Sequence, residues 1–250
     1  MDMLWPGGPT PVDDEQLADL YDYPPGLDRP FVQVSFVSSA DGAVTVQGRS
    51  GGLSGPADKR VFRLGRDLAD VVLVGAGTVR AEGYRGVRAG ELRTERREQR
   101  GLAPLPPIAV VTARCSLEPT DPIVTDTVAP TIVFTTATAS AHRRDALTAA
   151  GADVVACGDT AVDLAAVLDE LSGRGLSRIS CEGGARLFAG LIAADLVDQL
   201  CLTVTPLLAA GDAGRIAHGP APEAPRDLSL ASVLHEDGFL MLRYGRVRAS

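Results

Sequence analysis

Residues 71–80 read Val-Val-Leu-Val-Gly-Ala-Gly-Thr-Val-Arg, and residues 179–188 read Ile-Ser-Cys-Glu-Gly-Gly-Ala-Arg-Leu-Phe. Each stretch joins a short apolar run to a glycine turn and then to a helical pattern. The run Val71–Val74 is apolar at every position, as expected of a strand buried on both faces of a parallel sheet. Two such strand–turn–helix units predict an α/β domain with crossover helices.

The same alternation continues along the chain from residue 31. Strands are predicted at Phe31–Val37, Val71–Gly75, Ile108–Thr112, Thr131–Thr135, Asp153–Ala156, Arg178–Cys181, Gln199–Thr205 and Phe239–Val247. Helices are predicted at Pro56–Leu68, Ala141–Ala150, Val162–Leu171 and Ala185–Ala194. The last two strands follow each other without a helix, which indicates an antiparallel edge. The predicted fold class is therefore α/β with three layers, and its central sheet is mostly parallel with an antiparallel edge.

The domain organisation predicted is an N-terminal arm over residues 1–29 and a single domain over residues 30–250. The arm holds a short acidic helix at Asp13–Tyr21 between proline-rich segments, which stop it from extending. Residues 84–107 form an arginine-rich insertion with two interpretations. It is either a solvated surface segment, or a flap whose first arginines approach an anionic substrate.

Composition limits the class of protein. A net charge of −8 argues against a nucleic-acid partner, which usually needs a basic face. The N-terminus lacks the pattern of a signal peptide and no apolar run is long enough to span a membrane, so we expect a cytoplasmic protein without a membrane partner. The four cysteines lack metal-site spacing and read as buried free thiols. The zinc deaminase pattern, Gly-x-Ser-x-Gly and the P-loop lysine are all missing, and no metal is expected.

The two glycine turns are the candidate phosphate sites. Glycines let a phosphate approach the backbone, and the first amides of a helix are free donors. The first turn, with Gly75, Gly77 and Thr78, lacks the third glycine of a Rossmann fingerprint and could be a tight turn alone. Two turns at neighbouring strand ends could together hold one extended ligand. Glu182 lies beside the second turn, and the alternative for it is a carboxylate satisfied by nearby helix amides.

Asp58 is the candidate catalytic acid. It follows Pro56 in the first turn of a predicted helix, where an acidic residue often only complements the helix dipole. The functional alternative makes it a buried acid that anchors or protonates a ring nitrogen.

Several segments together resemble one known family. They are Ser39-Ala40-Asp41-Gly42, Arg66-Asp67-Leu68-Ala69-Asp70 leading into Val-Gly-Ala-Gly-Thr, Glu182-Gly183-Gly184, Leu196-Val197-Asp198-Gln199-Leu200 and Thr205-Pro206-Leu207-Leu208. Their order and spacing over residues 30–247 resemble the reductase domain of riboflavin biosynthesis, the RibD C-terminal type, which has the dihydrofolate reductase fold.

This resemblance implies NADPH as cofactor, hydride transfer and a homodimer. The residues that it and the glycine turns assign to the cofactor are Gly75, Gly77, Thr78, Glu82, Gly183, Gly184, Ala185, Arg186 and Leu187, with Arg114 for the 2′-phosphate. The substrate contacts it implies are Ser50, Arg66, Arg88 and Glu182. Bifunctional members carry a lysine on the first strand where this chain has Ser35.

A second resemblance concerns dihydrofolate reductase itself. Pro56-Ala57-Asp58, with Phe62 one turn on, is similar to the folate-site helix of that enzyme, and Thr203 falls where it has a pterin-contacting threonine. A carboxylate and a hydroxyl would suit the edge of a diaminopyrimidine ring.

Three functions follow as hypotheses. The first is an NADPH-dependent reductase of a ribosylaminopyrimidine, similar to 5-amino-6-(5-phosphoribosylamino)uracil reductase. The second keeps the fold and cofactor and takes dihydrofolate. The third is a non-catalytic nucleotide-binding protein, which the serine at position 35 keeps open.

Overall fold

The computed structural model describes residues 1–247. Its strands are β1 (Asp2–Trp5), β2 (Thr10–Pro11), β3 (Phe31–Ser39), β4 (Val71–Gly75), β5 (Ile108–Val111), β6 (Ile132–Thr135), β7 (Asp153–Ala156), β8 (Arg178–Cys181), β9 (Gln199–Thr205), β10 (Leu228–Glu236) and β11 (Phe239–Arg246). Its α-helices are α1 (Asp14–Tyr21), α2 (Pro56–Leu68), α3 (Ala76–Glu82), α4 (Thr94–Gln99), α5 (Pro122–Thr125), α6 (Ala141–Ala149), α7 (Leu164–Gly173) and α8 (Ala185–Ala193).

The strands form one sheet in the order β2-β1-β10-β11-β9-β3-β8-β4-β5-β6-β7. Pairing is parallel from β9 to β7 and antiparallel from β2 to β9. Alternate residues of β4 enter different cores: Val71 and Leu73 pack with α7 and α8, whereas Val72 and Val74 pack with α3 and α6. Helices therefore cover both faces, and the predicted three-layer, mostly parallel α/β fold with an antiparallel edge is confirmed.

Most element bounds agree with the sequence patterns. Helix α2 has the predicted bounds, and its buried residues Ala57, Val61, Leu64 and Leu68 recur at the spacing of one helical face. The sequence analysis missed β1, β2 and β10, which form the antiparallel end. The predicted domain reaches residue 250, and its last three residues lie outside the described part of the chain.

The N-terminal residues are bound to the rest of the fold. Strand β1 pairs with β10, and α1 packs on α2 and buries Leu17, Ala18 and Tyr21. Asp13 caps α1 by accepting from two backbone amides. Carboxylates on and after this helix pair with arginines of α2 and of the insertion. These pairs are Asp14 with Arg60 and Arg93, Glu15 with Arg96, and Asp22 with Arg100.

The insertion holds two arginines that are buried. Arg97 is fully buried, and its guanidinium donates to the carbonyls of Arg66 at 2.7 Å, Ala69 at 2.8 Å and Ala103 at 2.7 Å. Arg96 is also buried and pairs with Asp67 at 3.1 Å. The last carbonyls of a helix lack partners within the helix, so Arg97 completes the C-terminal end of α2. The surface interpretation of this segment is therefore wrong for these two side chains.

Replacing Arg97 with methionine is expected to lower the free energy of unfolding by about 2–4 kcal/mol, because several buried carbonyls lose a charged donor. Arg88→Met is the matched control, since Arg88 is half exposed and its ion-pair partner among residues 1–247 is the half-exposed Asp126. We expect the control to cost less than about 1 kcal/mol. Urea unfolding followed by circular dichroism measures both, and equal costs would contradict a capping role for Arg97.

Candidate active site

A cleft opens in the sheet because β8 is shorter than its neighbour β3. The β3–β8 pairing ends at Val34 with Cys181, whereas β3 continues beside β9 to Ser39. Beyond Val34, the β8 side of β3 has no strand partner among residues 1–247. The opening lies at the carboxyl ends of parallel strands, where ligands of open α/β sheets bind.

A cavity of about 440 Å³ occupies this cleft. It brings together the predicted residues Ser50, Asp58, Arg66, Thr78, Glu82, Glu182, Gly183, Gly184, Ala185 and Thr203. These residues come from the loop before α2, from α2, from α3, from the turn after β8 with the start of α8, and from β9, which are distant in sequence. A single cavity with convergent polar groups is the expected form of a small-molecule site.

The two glycine turns lie side by side. The amide of Gly75 donates to the carbonyl of Gly183 at 2.9 Å, and the amide of Gly184 donates to Oγ1 of Thr78 at 3.1 Å. These contacts follow from the direct pairing of β4 with β8. The first turns of α3 and α8 therefore start at the same edge of the sheet.

Gly183 and Gly184 cannot carry side chains without displacing their surroundings. Gly183 has φ +92°, and a Cβ there would lie 3.2 Å from the ring of Phe36. Gly184 has φ +34°, and a Cβ there would lie 3.0 Å from Oγ1 of Thr78. The left-handed backbone and the close packing both favour glycine. The pair therefore keeps a backbone surface exposed on the cavity wall.

A buried ion pair forms the wall next to this turn. Arg66 donates from Nε to Glu182 Oε1 at 2.6 Å and from Nη2 to Oε2 at 2.7 Å, and the Tyr84 hydroxyl donates to Oε2 at 2.8 Å. The partners of Glu182 are thus side chains and not the helix amides of the alternative interpretation. The Glu182 side chain is 1% exposed and that of Arg66 is 16% exposed.

Electrostatics stabilise the charged form of Arg66 and the neutral form of Tyr84. Burial by itself lowers the pKa of the Arg66 guanidinium, but the charge of Glu182 and its hydrogen bonds outweigh burial and raise the pKa above its ordinary value. Burial, with the nearby charge of Glu182, raises the pKa of Tyr84 well above its ordinary range. Arg66 also lies over the rings of Phe62 at 5.0 Å and Tyr84 at 5.6 Å. At neutral pH this wall is a salt bridge with a neutral tyrosine as additional donor.

Asp58 lies at the buried end of the cavity. It is in the first turn of α2 and is 8% exposed, and one carboxylate oxygen, Oδ2, accepts from the Ser54 hydroxyl. Within residues 1–247, Oδ1 of Asp58 and the hydroxyl of Thr203 have no hydrogen-bond partner. Tyr21, Cys201 and Met241 line the same end and are almost fully buried. The second carboxylate oxygen of Asp58 can accept a hydrogen bond from a ligand with N–H groups.

The loop over residues 41–52 forms the opposite wall. The carboxylate of Glu82 at the end of α3 accepts from the amide of Ser50 at 2.8 Å. At the other end of the loop, Asp41 accepts from the amides of Ala209 and Ala210. A hydrogen bond from Ser39 and those two amides lower the pKa of Asp41 to about 2. The loop is thus tied at both ends.

Other predicted residues lie away from the cavity wall. Arg88 pairs with Asp126, and Arg114 is exposed in the loop after β5. Arg186 is exposed on α8, whereas Leu187 is buried in the core. Gly75 lies directly behind Gly183, and Gly77 is exposed at the start of α3.

The sequence analysis did not identify three cavity residues that the structure adds. Ser54 and Tyr84 were missed because a single hydroxyl in a loop gives no pattern. Lys59, the one lysine in the sequence, was placed on an exposed helix face; it is exposed, and it also lines the mouth of the cavity.

In the described part of the chain, potential metal ligands do not cluster and the thiols are buried. Residues 1–247 contain no cluster of three or more His, Cys, Asp or Glu side chains that could hold a metal ion. The four cysteines are buried and free, and burial raises the pKa of Cys181 and Cys201 to about 12. No helix in the same residues has the length and apolar character needed to cross a membrane.

The fold and its cleft define an α/β domain built to bind a small molecule at strand ends. The chain belongs to the RibD C-terminal domain family, which matches residues 30–237. It is 31% identical to the 2,5-diamino-6-ribosylamino-4(3H)-pyrimidinone 5′-phosphate reductase of Archaeoglobus fulgidus, over 73% of this chain and 83% of that protein. It is 30% identical to the protein of the same name from Methanothermobacter thermautotrophicus, over 76% of this chain and 85% of that protein.

A solved structure has the same fold. The pyrimidine reductase-like protein of Corynebacterium diphtheriae superposes with a TM-score of 0.76 at 23% identity, covering 88% of this chain and 93% of its own. The family membership predicted from the sequence is confirmed by the match over residues 30–237, and the shared fold agrees with the predicted three-layer α/β class.

Proposed function

We propose that the protein is an NADPH-dependent reductase of a ribosylaminopyrimidine 5′-phosphate, as in riboflavin biosynthesis. One observation carries the proposal: the cleft beside β3 has two adjacent glycine turns along one side and the carboxylate of Asp58 at its buried end. The glycine turns suit the phosphates of a dinucleotide, and the carboxylate at the buried end suits a heterocyclic ring with N–H groups. The names of the relatives support the choice of a pyrimidine substrate.

The residues present fit a dinucleotide. Gly183 and Gly184 leave backbone surface on the wall, and the first amides of α8 have no acceptor within the helix. We assign the cavity-lining Thr78, Glu82, Gly183, Gly184 and Ala185 to this side, with Gly75, Gly77, Arg186 and Leu187 as the parts of the two turns that lie away from the cavity wall. Arg114 has no hydrogen-bond or ion-pair partner in residues 1–247, so its guanidinium is available for a 2′-phosphate. When bound, NADPH supplies the hydride.

The protein's own residues hold and enclose the substrate. In the ring-opened form of the ribosylamino group, the C1′=N bond accepts a hydride at carbon and a proton at nitrogen. Asp58 anchors the ring or supplies a proton, and Thr203 completes the polar contact at the buried end. Ser50, Arg66 and Glu182 line the cavity as further substrate contacts. Arg88 can join them only after leaving Asp126. Exclusion of water and fixed orientation are the main contributions.

Asp58→Asn is expected to lower turnover by more than about tenfold, the scale of lost acid assistance or anchoring. The loss of NADPH absorbance with the purified ribosylaminopyrimidine phosphate measures it. Asp145→Asn is the matched control, because Asp145 is exposed on α6 and lies outside the cavity wall. An unchanged rate in Asp58→Asn, with NADPH binding intact, removes Asp58 from the reaction.

A second candidate is dihydrofolate reduction. The pairing of Asp58 with Thr203 at the buried end favours it, since a pterin ring presents amino and ring N–H groups to such a pair. Comparing NADPH oxidation with dihydrofolate and with the ribosylaminopyrimidine separates the two functions. Tight NADPH binding without turnover on either would instead support a non-catalytic nucleotide-binding protein.

We also propose that the protein acts in the cytoplasm as a homodimer without a nucleic-acid partner. The buried free thiols suit a reducing compartment, and the net charge of −8 disfavours nucleic acid. Leu228 and Leu230 are exposed on β10 and are candidates for the subunit contact. Light scattering after size exclusion tests the dimer.

A further inference from the structure

The N-terminal segment contributes a side chain to the cavity. Tyr21, the last residue of α1, lines the buried end and is 2% exposed. It lies before residues 30–237, the part of the chain that matches the family. One wall of the site is therefore built by a segment that precedes the family-matched region.

Contacts from two strands hold Tyr21 in place. The side-chain amide of Gln33 on β3 is buried and donates to the carbonyl of Tyr21 at 2.9 Å. The last carbonyls of a helix lack partners within the helix, so this bond completes the end of α1. The guanidinium of Arg243 on β11 lies over the Tyr21 ring, 5.6 Å from its centre. The position of the ring is thus fixed by the central sheet.

The Tyr21 hydroxyl is a donor without a partner. Within residues 1–247 it makes no hydrogen bond, whereas buried polar groups in proteins usually have one. Burial raises the pKa of Tyr21, with contributions of the same sign from Cys201 and Asp58 that Arg243 opposes. The phenol is therefore neutral at neutral pH, and its O–H group can donate to a molecule in the cavity.

Tyr23 offers a comparison in the same segment. It is 7% exposed, and its hydroxyl also lacks a hydrogen-bond partner in the described residues. Its ring packs edge-on against Phe31, with 5.8 Å between the ring centres, and it does not line the cavity. The two tyrosines share burial and an unpartnered hydroxyl, and they differ in their access to the cavity.

We propose that the N-terminal segment completes the active site and that the Tyr21 hydroxyl binds the substrate by donating to a carbonyl oxygen of its ring. This inference rests on the proposed function and adds a substrate contact from outside the family-matched residues. The hydroxyl complements Asp58, because the phenol donates to an acceptor of the ring whereas the carboxylate accepts from N–H groups. A ring that carries both kinds of group pairs with both side chains.

The test compares Tyr21→Phe with Tyr23→Phe, since each substitution removes a single buried oxygen. In Tyr21→Phe we expect kcat/KM for the ribosylaminopyrimidine 5′-phosphate to fall about tenfold, because the ring carbonyl loses its donor. The dissociation constant for NADPH should stay within about twofold of its value in the natural chain. Tyr23→Phe should leave both quantities unchanged. Neither variant should have a lower melting temperature, because neither hydroxyl has a protein partner to lose.

An unchanged kcat/KM in Tyr21→Phe, or an equal fall in Tyr23→Phe, would overturn the inference. If the natural chain does not reduce the compound, the proposed function fails, and calorimetric binding of the same compound and of dihydrofolate then decides the inference. Tyr21→Phe should weaken the binding of at least one of them about tenfold, with Tyr23→Phe at the natural affinity. Equal affinities in the three chains, or no binding of either compound, would contradict it.

Discussion

Replacing Arg66 with methionine is expected to lower the free energy of unfolding by about 3–5 kcal/mol, the range measured when one partner of a buried ion pair is removed. Glu182 would be left with its side chain 1% exposed and with Tyr84 as its remaining donor. Because Arg66 and Glu182 line the cavity, activity should fall as well. The midpoint of urea unfolding, at unchanged slope, gives the stability.

The two side chains of the ion pair differ in exposure, so removal of Glu182 serves as the control for removal of Arg66. Arg66 is more exposed than Glu182 and stacks on aromatic rings, so it can regain water when its partner is removed. Glu182→Leu should therefore lower the free energy of unfolding by less than Arg66→Met does. The double variant should recover much of the loss, as in other buried pairs replaced by apolar side chains. Additive losses in the double variant would show that the two side chains act separately.

Gly183→Ala is expected to raise the dissociation constant for NADPH by about 10- to 100-fold, which corresponds to roughly 1.4–2.8 kcal/mol. The methyl group would lie 3.2 Å from the Phe36 ring on a backbone with φ +92°. Relief of that contact moves the turn whose carbonyl accepts from Gly75. Titration of NADPH fluorescence measures the change.

Gly175→Ala is the control for backbone strain. Gly175 has φ +78° in the loop before β8, and a Cβ there would have no neighbouring atom within 4 Å. Both substitutions should lower the melting temperature through backbone strain, and Gly183→Ala should lower it further because of its contact with Phe36. Only Gly183→Ala should weaken NADPH binding. If Gly183→Ala binds NADPH as the natural chain does, the turn is not part of the dinucleotide site.

The parallel half of the sheet could be predicted because the sequence of each of its strands has a recognisable local pattern. Strands buried on both faces, such as Val71–Gly75, are apolar throughout, and each is followed by a helix. The antiparallel end lacks that signal. The residues of β10 mix exposed leucines with serines, and its partner β1 is four residues long. The Asp237-Gly238 pair between β10 and β11, both at positive φ, was the hairpin signal that could have revealed β10.

The site could be predicted only in part. Residues next to a glycine turn or in the first turn of a helix could be recognised from the sequence. Among them, Asp58, Thr78 and Glu182 line one cavity. The partners of Glu182 could not be deduced, because Arg66 and Tyr84 reach it from distant segments through the order of the strands. The same is true of Arg97, whose burial depends on where the insertion folds against α2. Tertiary contacts of this kind leave no local pattern in the chain.

The acids of the N-terminal helix and the arginines of the insertion have a consequence for the evolution of this family. Asp14 and Asp22 lie outside residues 30–237, the part of the chain that matches the family, whereas their partners Arg93 and Arg100 lie inside it. Loss of the helix would leave a concentrated positive charge beside α2, and neutral replacements would then be favoured. Relatives that lack the leading segment should therefore also lack these arginines, so that the two segments are inherited or lost together.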